Sequence, residues 1–366
     1  MSYSQATTTK ITDYTLHRVC LKLPEPIGDA VVHYHEIWIT VLELRTNNGL
    51  EGIGFDESLG EPPPDLTTLR KQFEYRVWPT LKDANPFNLA LRINCLRGGQ
   101  IGRDYRTIAC EWALWDLAAK AADLPLYQLL GGTEPQVRAY ASTLDFHLKD
   151  QAFATKLERF RQMGLRAVKI KVGHPDLSWD LRRLGIVREV FGADINLMVD
   201  ANESWSPKET AYRANQYRNA GHKIYWIEDP IRRSDSEGYM RLCGQLGFTR
   251  INAGEYLDLT GKRSLLEQRA VDVLNLGARV NESRNAAVIA SEYGIPVAMG
   301  NSIAEISVHI AASLPECLYL EFPDLIWSDL VEEPVRIEDG FAIAPDRPGL
   351  GLELNRANLE KYTVHG

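Results

Sequence analysis

Residues 167–200 have the sequence AVKIKVGHPDLSWDLRRLGIVREVFGADINLMVD, in which two short runs rich in apolar residues flank a longer stretch. The runs AVKIKV and INLMVD have the length and composition of buried strands, and residues 178–191 between them have the length of a helix. The same alternation recurs from about residue 137 onward, with eight such runs: VRAYAS, AVKIKV, INLMVD, KIYWIE, TRINAG, VDVLNL, PVAMG and LYLEF. Eight strands that alternate with helices predict a parallel β/α barrel.

A doubly wound open sheet is the competing architecture for alternating strands and helices. Such sheets carry a glycine-rich phosphate turn after their first strand when they bind dinucleotides, and no such turn follows VRAYAS. Regular spacing also fits barrel units, because Asp200 precedes Glu228 by 28 residues and Glu228 precedes Glu255 by 27. The barrel is therefore the preferred prediction.

The residues before this alternation have a different pattern, which predicts a separate α+β domain. Residues 35–46 alternate polar and apolar side chains, an Asn-Asn-Gly turn follows, and residues 50–55 form the partner strand of a hairpin. Helices are predicted over 66–96 and 107–122. Turn dipeptides and short strands return in the last segment of the chain, which we expect to pack on the N-terminal domain.

The composition excludes several classes of function. The chain has 366 residues and a formal net charge of -8, without a run of lysine or arginine, so nothing favours binding to nucleic acid or an anionic membrane. No apolar run has the roughly 18–20 residues that cross a bilayer, and the N-terminus lacks the apolar core of a secretory signal. The five cysteines contain no CxxC pair, which favours reduced thiols. We therefore expect a cytoplasmic protein.

Three acidic residues end three consecutive strand runs: Asp200 in LMVDAN, Glu228 in YWIEDP and Glu255 in NAGEY. The carboxyl ends of neighbouring barrel strands lie side by side, about 4.8 Å apart, so these carboxylates would repel one another in a poorly solvated site. A bound cation removes that repulsion, and oxygen ligands favour a hard ion such as Mg²⁺. A single acid in this position is commonly a helix cap or a surface charge. Three in successive units predict a magnesium site.

Lys169 and Lys171 lie on the strand that precedes the Asp200 strand. Residues i and i+2 of a strand point to the same side, so both ammonium groups are expected to point into the barrel mouth. Each disfavours protonation of the other, and desolvation acts in the same direction, which predicts one lysine with a pKa low enough to act as a base. The other lysine would stay charged and stabilise developing negative charge. Two surface lysines are the alternative, but a central barrel strand has no exposed face.

The acids and lysines together predict removal of a proton next to a carboxylate. A metal that holds a substrate carboxylate lowers the cost of forming the enediolate, and a weakly basic lysine can then take the α-proton. Enolase-superfamily sites combine a lysine or histidine base with Mg²⁺ in this way.

The chain resembles the enolase superfamily, and within it the mandelate racemase/muconate lactonizing branch, over nearly its whole length. The segments that carry the resemblance are ACEWALWDLAAKAADLPLYQLLGG (109–132), KIKVG (169–173), VDAN (199–202), IEDP (227–230), AGE (253–255), LEFPDL (320–325) and DRPGLGLEL (346–354). The resemblance implies an α/β fold: a modified (β/α)7β TIM-like barrel over residues 134–330, with an α+β capping domain over residues 1–133 that residues 331–366 complete.

The resemblance also implies roles for particular residues. Lys171 would be the base and Lys169 would assist it. Glu321, at the end of the last strand, would hydrogen-bond the substrate carboxylate, and Asn202 would lie close to the metal. Taken alone, Glu321 is as well explained as a loop charge and Asn202 as a helix cap. The implied Mg²⁺ ligands are Asp200, Glu228 and Glu255.

Two departures from the family pattern concern the opposite side of the site. Many relatives carry a second lysine on the sixth strand, where this chain has Gly277. Relatives similar to mandelate racemase carry a histidine on the seventh strand, where this chain has Asn301, or Ser302 if the register shifts by one. Asn301 can donate a hydrogen bond but cannot carry a proton. We therefore expect a one-base reaction, unless a loop group such as His33 or His35 takes the opposite role.

The N-terminal loops are where such proteins usually recognise their substrate. His33 and His35 alternate onto one side, beside Asp29, and are candidate substrate-binding residues; a solvated strand edge explains them equally well. The polar cluster at residues 103–106 contains two arginines that could pair with a second substrate carboxylate, although a surface ion pair explains it better.

The leading hypothesis is a dehydratase of a sugar acid or another hydroxy acid, in which the β-hydroxyl leaves from the enediolate. The alternative is an isomerase, either an epimerase or a cycloisomerase, and the sequence hardly separates the two. A non-catalytic binding protein is a third hypothesis. It is disfavoured because the chain retains all five residues of the predicted site, namely Lys169, Lys171, Asp200, Glu228 and Glu255. The expected partner is a small-molecule carboxylate, with no nucleic acid or membrane, and the resemblance implies a homo-oligomer.

Overall fold

The computed structural model describes residues 8–90, 106–323 and 325–365. An antiparallel sheet opens the chain, with its strands in the order β1 (Ile11–Gly28), β2 (His33–Thr46) and β3 (Glu51–Leu59). Strands β2 and β3 pair from Arg45 opposite Glu51 to Ile37 opposite Leu59. The hairpin predicted from the polar–apolar alternation is therefore confirmed.

Helices cover this capping sheet: α1 (Leu66–Arg76), α2 (Trp78–Leu81), α3 (Pro86–Ala90), α4 (Arg106–Ala122) and α5 (Leu126–Leu129). Helix α4 packs closely on β3, because a Cβ atom added to Gly54 would lie 1.9 Å from the Ala109 carbonyl oxygen. The helix predicted over 107–122 is confirmed. The one predicted over 66–96 is wrong as a single helix: Asp83 has a φ of 60° and Pro86 starts a new helix. Residues 91–96 of that prediction lie outside the described part.

Eight parallel strands form a closed barrel, because the last strand pairs with the first. The strands are β4 (Gln136–Ser142), β5 (Ala167–Lys171), β6 (Asn196–Asp200), β7 (Ile224–Glu228), β8 (Arg250–Ala253), β9 (Val273–Leu276), β10 (Val297–Met299) and β11 (Cys317–Phe322). One helix follows each of the first seven: α6 (Asp150–Gln162), α7 (Leu177–Phe191), α8 (Pro207–Asn219), α9 (Ser236–Gln245), α10 (Leu259–Glu267), α11 (Val280–Glu292) and α12 (Ala304–Ala312). The predicted (β/α)7β barrel is confirmed, and the open sheet is excluded.

Two layers of side chains fill the barrel interior. The lower layer is apolar and takes one residue from each of seven strands: Tyr140, Ala167, Met198, Trp226, Val273, Ala298 and Tyr319. Two residues further along, and therefore on the same side of each strand, the next layer is buried and polar. It contains Ser142, Lys169, Asp200, Glu228, Asn275 and Glu321. Ionisable groups are thereby concentrated at the carboxyl ends of the strands, where barrel enzymes place their active sites.

The C-terminal segment contacts both parts of the molecule. Strands β12 (Arg336–Glu338) and β13 (Phe341–Ile343) extend the sheet antiparallel to β4. Helix α13 (Arg356–Tyr362) lies against β1, and Arg356 makes two hydrogen bonds to Glu43 of β2, at 2.8 and 2.7 Å. The division of the chain at residues 133 and 331 stays a prediction. Within the described ranges, no helix combines the length and the apolar character needed to cross a bilayer.

Candidate active site at the barrel mouth

The three predicted metal ligands lie at the ends of three adjacent strands. Asp200 and Glu228 are the last residues of β6 and β7 and lie opposite each other in the sheet. Glu255 follows β8 by two residues, after Gly254, whose φ of 123° turns the chain. The side chains of Asp200 and Glu228 are buried, and Glu255 and Asp200 line the cavity above the barrel.

Both lysines point into this acidic cluster, as strand alternation predicts. The Lys169 ammonium pairs with Glu228, lies 3.1 Å from Glu321 and 3.7 Å from Asp200, and stacks 5.1 Å above the Tyr140 ring. Lys171 donates to Asp200 at 2.6 Å and to Asn202 Oδ1 at 2.9 Å. The structure therefore brings together the acids and lysines that the sequence placed at the barrel mouth.

Burial has opposite consequences for different carboxyl groups of the cluster. Burial, together with the neighbouring Asp200 and Glu255 carboxylates, raises the pKa of Glu228 to about 8, although Lys169 acts to lower it. Burial and Asp200 likewise raise the pKa of Glu255 to about 7. Burial would raise the pKa of Glu321 as well, but the Lys169 and Lys171 ammonium groups and the hydrogen bond from the Asn301 backbone together outweigh burial and lower that pKa to about 2. The cluster therefore contains more negative charge than its two lysines neutralise.

This donor set fits a hard divalent cation. All three predicted ligands offer carboxylate oxygens, the kind that Mg²⁺ prefers, and the excess negative charge would be relieved by a cation. In the described part of the chain, no three His, Cys, Asp or Glu side chains are already arranged around a single point to hold an ion. The reason is that the Lys169 and Lys171 ammonium groups, acting as cations themselves, draw Glu228 and Asp200 towards them.

The expectation of a lysine with a low pKa is wrong for this arrangement. Burial acts to lower the pKa of Lys171, but the charge of Asp200, its hydrogen bond to Lys171 and the charge of Glu255 together outweigh burial and the Lys169 charge, and raise the pKa to about 12. The pKa of Lys169 is also raised, because Glu228 and Glu321 outweigh its burial. The two ammonium groups do repel each other, but four carboxylates surround them, and attraction to these carboxylates is the larger effect.

Asn202, Asn301 and Glu321 surround the same cavity. The Asn202 backbone N–H donates to Asp200 at 2.9 Å, so Asn202 does lie beside the predicted metal site. The Asn301 backbone N–H donates to Glu321 at 2.6 Å. Both asparagines have a positive φ, 44° and 45°, a conformation that asparagine tolerates better than most residues. An ionised Glu321 has no proton to donate, so its hydrogen bond to a substrate carboxylate stays a prediction.

The structure does not bring His33 and His35 to the cavity. Alternation along β2 turns the intervening Tyr34 towards it, and the two histidines are exposed on the other side of the strand. The His33 ring lies 4.5 Å from the His35 ring and 4.0 Å from the His147 ring, centroid to centroid. Their role in substrate binding stays a prediction without support from this geometry. Residues 103–105 and the side chain of Arg106 lie outside the described part.

The cavity is formed jointly by the capping sheet and the barrel, and its volume is about 720 Å³ including the part open to solvent. Asp29, Tyr34 and Glu57 reach it from the capping sheet. Sequence analysis missed Glu57, which is a polar residue on a strand with no motif around it. It also missed Asn252, whose amide donates to Glu228 at 3.0 Å alongside Trp226 Nε1 at 3.1 Å. Trp226 and Asn252 thereby fix the orientation of the Glu228 carboxylate.

Two protein-family models match the chain. The model for the enolase C-terminal domain-like family matches residues 152–358, and the model for the mandelate racemase/muconate lactonizing enzyme N-terminal domain matches residues 11–131. The first covers the barrel with its acid–lysine cluster, and the second covers the capping sheet. The chain belongs to the enolase superfamily, in its mandelate racemase/muconate lactonizing enzyme branch, as its motifs indicated.

Relatives within this family catalyse different reactions. The 3,6-anhydro-alpha-L-galactonate cycloisomerase of Streptomyces coelicolor is 34% identical over 265 residues, which are 70% of this chain and 71% of that enzyme. The L-talarate/galactarate dehydratase of Salmonella typhimurium is 29% identical over 351 residues, 92% of this chain and 86% of that enzyme. One of these relatives is thus an isomerase and the other is a lyase, and both act on carboxylates.

Solved structures of relatives superpose on nearly the whole chain. A protein of Mesorhizobium loti is 40% identical and superposes with a TM-score of 0.93, covering 97% of this chain and 95% of its own. The L-talarate dehydratase of Polaromonas sp. JS666, solved with Mg and L-glucarate, is 30% identical with a TM-score of 0.84, covering 97% and 98%. Magnesium is therefore present in a relative of the same architecture.

Proposed function

We propose that this protein is a magnesium-dependent dehydratase of a sugar acid or another hydroxy acid. The observation that carries the proposal is the buried cluster of two lysines and four carboxylates at the mouth of the barrel, beneath a cavity that a small carboxylate can enter. The magnesium complex of a talarate dehydratase with the same fold supports it.

In the proposed reaction Lys171 removes the proton next to the substrate carboxylate. A magnesium ion held by Asp200, Glu228 and Glu255 would supply positive charge that offsets these carboxylates and the charge developing on the substrate. With Asp200 neutralised in this way, burial and the nearby Lys169 charge favour the neutral, basic form of Lys171. Loss of the β-hydroxyl then gives an enol that becomes a 2-keto-3-deoxy acid.

Lys169 stays protonated and acts as the fixed positive charge of the site. Its ammonium lies two residues deeper along β5 than that of Lys171, and it contacts Glu228 and Glu321. Glu321 holds both Lys169 and the Asn301 backbone in place. These residues pre-organise positive charge near the reacting carboxylate, which is the main way such sites lower a barrier.

An isomerase is the second candidate, and the 34% identity to a cycloisomerase favours it specifically. An epimerase or a cycloisomerase would begin with the same proton removal by Lys171. The two candidates differ only in the fate of the intermediate: an epimerase returns a proton to the α-carbon, and a cycloisomerase opens or closes a ring.

The test is incubation of the Mg²⁺-loaded protein in D₂O with arabinonate, xylonate, gluconate, galactarate and talarate. A dehydratase gives a 2-keto-3-deoxy acid that semicarbazide detects, and an epimerase gives substrate and product labelled at the α-carbon. Asp200→Asn should abolish either signal, whereas Lys208→Ala, an exposed lysine on α8, should leave it unchanged. A protein that binds these acids and neither labels nor converts any of them would be a binding protein instead.

We further propose a cytoplasmic location and a homo-oligomeric state, in line with the sequence. Size-exclusion chromatography with light scattering measures the oligomeric state. A monomer at micromolar concentration would contradict that part of the proposal.

A further inference from the structure

Glu57 reaches the active-site cavity from the capping sheet. It lies on β3 opposite Ile39 of β2 and lines the cavity together with Asn301, Ser302 and Glu321. Asn301 and Ser302 follow β10, which is separated from the Lys171 strand β5 by β11 and β4 in the closed ring. Glu57 therefore borders the cavity on a different side from Lys171, the side where Gly277 and Asn301 provide no group that can carry a proton.

The surroundings of Glu57 favour its neutral form. Within the described residues its side chain has no hydrogen bond or ion pair. Burial and the negative charge of Glu321 raise its pKa to about 7. The other charged groups on this cavity are Asp29 between β1 and β2, Asp200 and Glu255 at the strand ends, and Lys169 and Lys171. A carboxyl group that holds its proton near neutral pH can act as a general acid.

The other polar groups on this side of the cavity are less suited to that role. The Asp29 carboxylate already accepts the backbone N–H groups of Val31 and Val32, at 2.6 and 3.0 Å. Burial raises the pKa of the Tyr34 phenol above its ordinary value of 10.0, so it is a weaker acid at neutral pH than a carboxyl group. Glu57 is thus the group best suited to donate a proton on the side where Gly277 and Asn301 cannot.

A second cavity adjoins Glu57 and offers a way to restore its proton. Glu57, Asn301 and Ser302 line both cavities, and the second continues towards Trp112 and Ser307. Trp112 Nε1, Ser302 Oγ and Ser307 Oγ are buried and have no partner within the described part of the chain. Buried polar groups of this kind normally hydrogen-bond to ordered water, and a hydrated cavity beside Glu57 would supply protons to it.

We propose that Glu57 is the general acid of the reaction and protonates the departing β-hydroxyl group. This inference rests on the proposed function. Lys171 takes the α-proton, the Cβ–O bond breaks, and the hydroxyl leaves as water with the Glu57 proton. The enol then gains a proton at C3 and loses the proton of its C2 hydroxyl group, which gives the keto acid. Lys171 releases the proton it took to water, and water returns one to Glu57. Substrate is thereby converted to a 2-keto-3-deoxy acid and water without any further reactant.

The test compares wild-type protein with Glu57→Gln in D₂O, using the five sugar acids named above. Two quantities are measured for each acid: deuterium at the α-carbon of recovered substrate, and 2-keto-3-deoxy acid formed. Removal of a general acid typically costs about 10²–10⁴-fold in rate. We therefore expect the ratio of product to exchanged substrate to fall at least 100-fold in the variant, because Lys171 still removes the proton. Glu51→Gln, at the exposed start of the same strand, serves as the matched control and should behave like wild type.

The pH profile provides a second readout that a purely structural defect would not produce. With Glu57 acting as an acid, the wild-type rate of product formation should fall about tenfold per pH unit above the Glu57 pKa, and this decline should be absent from the residual activity of Glu57→Gln. Product formation by Glu57→Gln within tenfold of wild type would overturn the assignment. An equal loss of exchange and product would also overturn it, because Glu57 would then support binding or folding. A wild-type protein inactive on every acid would instead refute the proposed function and, with it, this role.

Discussion

Magnesium binding should release protons, and the pKa values of Glu228 and Glu255 determine how many protons are released. At pH 7 a Glu228 with a pKa of about 8 holds about 0.9 proton, and a Glu255 with a pKa of about 7 holds about 0.5. Carboxylates must be ionised to bind a metal. Formation of the complex should therefore release about 1.4 protons, and raising the pH from 7 to 8 should tighten binding about tenfold.

Isothermal titration calorimetry in two buffers with different ionisation enthalpies measures this release directly. Glu228→Gln should bind Mg²⁺ more weakly and release about 0.5 proton, whereas Glu237→Gln, an exposed residue of α9, should match wild type. The same shifts predict that the metal-free protein loses stability as the pH rises from 4.5 to 8. Between these values the unfolded carboxyl groups are ionised while the folded ones still hold protons. Zero proton release with a pH-independent affinity would refute the pKa reasoning.

Four further substitutions test separate parts of the molecule. Lys171→Ala should lower α-proton exchange at least about 100-fold while calorimetry still detects Mg²⁺ binding; normal exchange would remove it from the base role. Gly54→Ala forces a Cβ atom into the backbone of α4 and should lower the free energy of unfolding by roughly 1–3 kcal/mol. Gly185→Ala, on α7, adds a Cβ atom in open space and should raise the free energy of unfolding by roughly 0.5–1 kcal/mol. Trp226→Phe removes the Nε1 donor to Glu228 and should weaken Mg²⁺ binding about 10-fold or more; unchanged affinity would show that this bond does not orient the ligand.

The sequence predicted those features that depend on periodicity. Strand alternation placed Lys169 and Lys171 on one side, and the nearly equal spacing of Asp200, Glu228 and Glu255 placed these acids on adjacent strands. Both arguments use only local geometry, which β-structure makes regular. The resemblance to the enolase superfamily supplied what periodicity could not, namely that the N-terminal α+β domain caps the barrel.

Features that depend on contacts between distant segments were not predictable in the same way. The pKa of Lys171 depends on Asp200, Glu255 and Lys169 together, and pairwise reasoning gave the wrong direction. His33 and His35 were selected because they alternate onto one side beside Asp29, yet Tyr34 is the residue of this run that lines the cavity, and both histidines are exposed on the other side of β2. Glu57 carries no motif, and its environment exists only once β3 lies over the barrel mouth.

The aromatic layer beneath the lysines has a consequence for isotope retention. Tyr140, Trp226 and Tyr319 pack edge to face at 5.5–6.2 Å between ring centroids, and they are almost fully buried. Within the described part of the chain, this layer closes the barrel beneath Lys169 and Lys171. Solvent hydrogen therefore reaches the lysines from the cavity side, where a tightly held substrate slows exchange of the abstracted proton. Slow washout of label from the enzyme–substrate complex would thus be a property of the barrel floor, independent of the lysine that carries the proton.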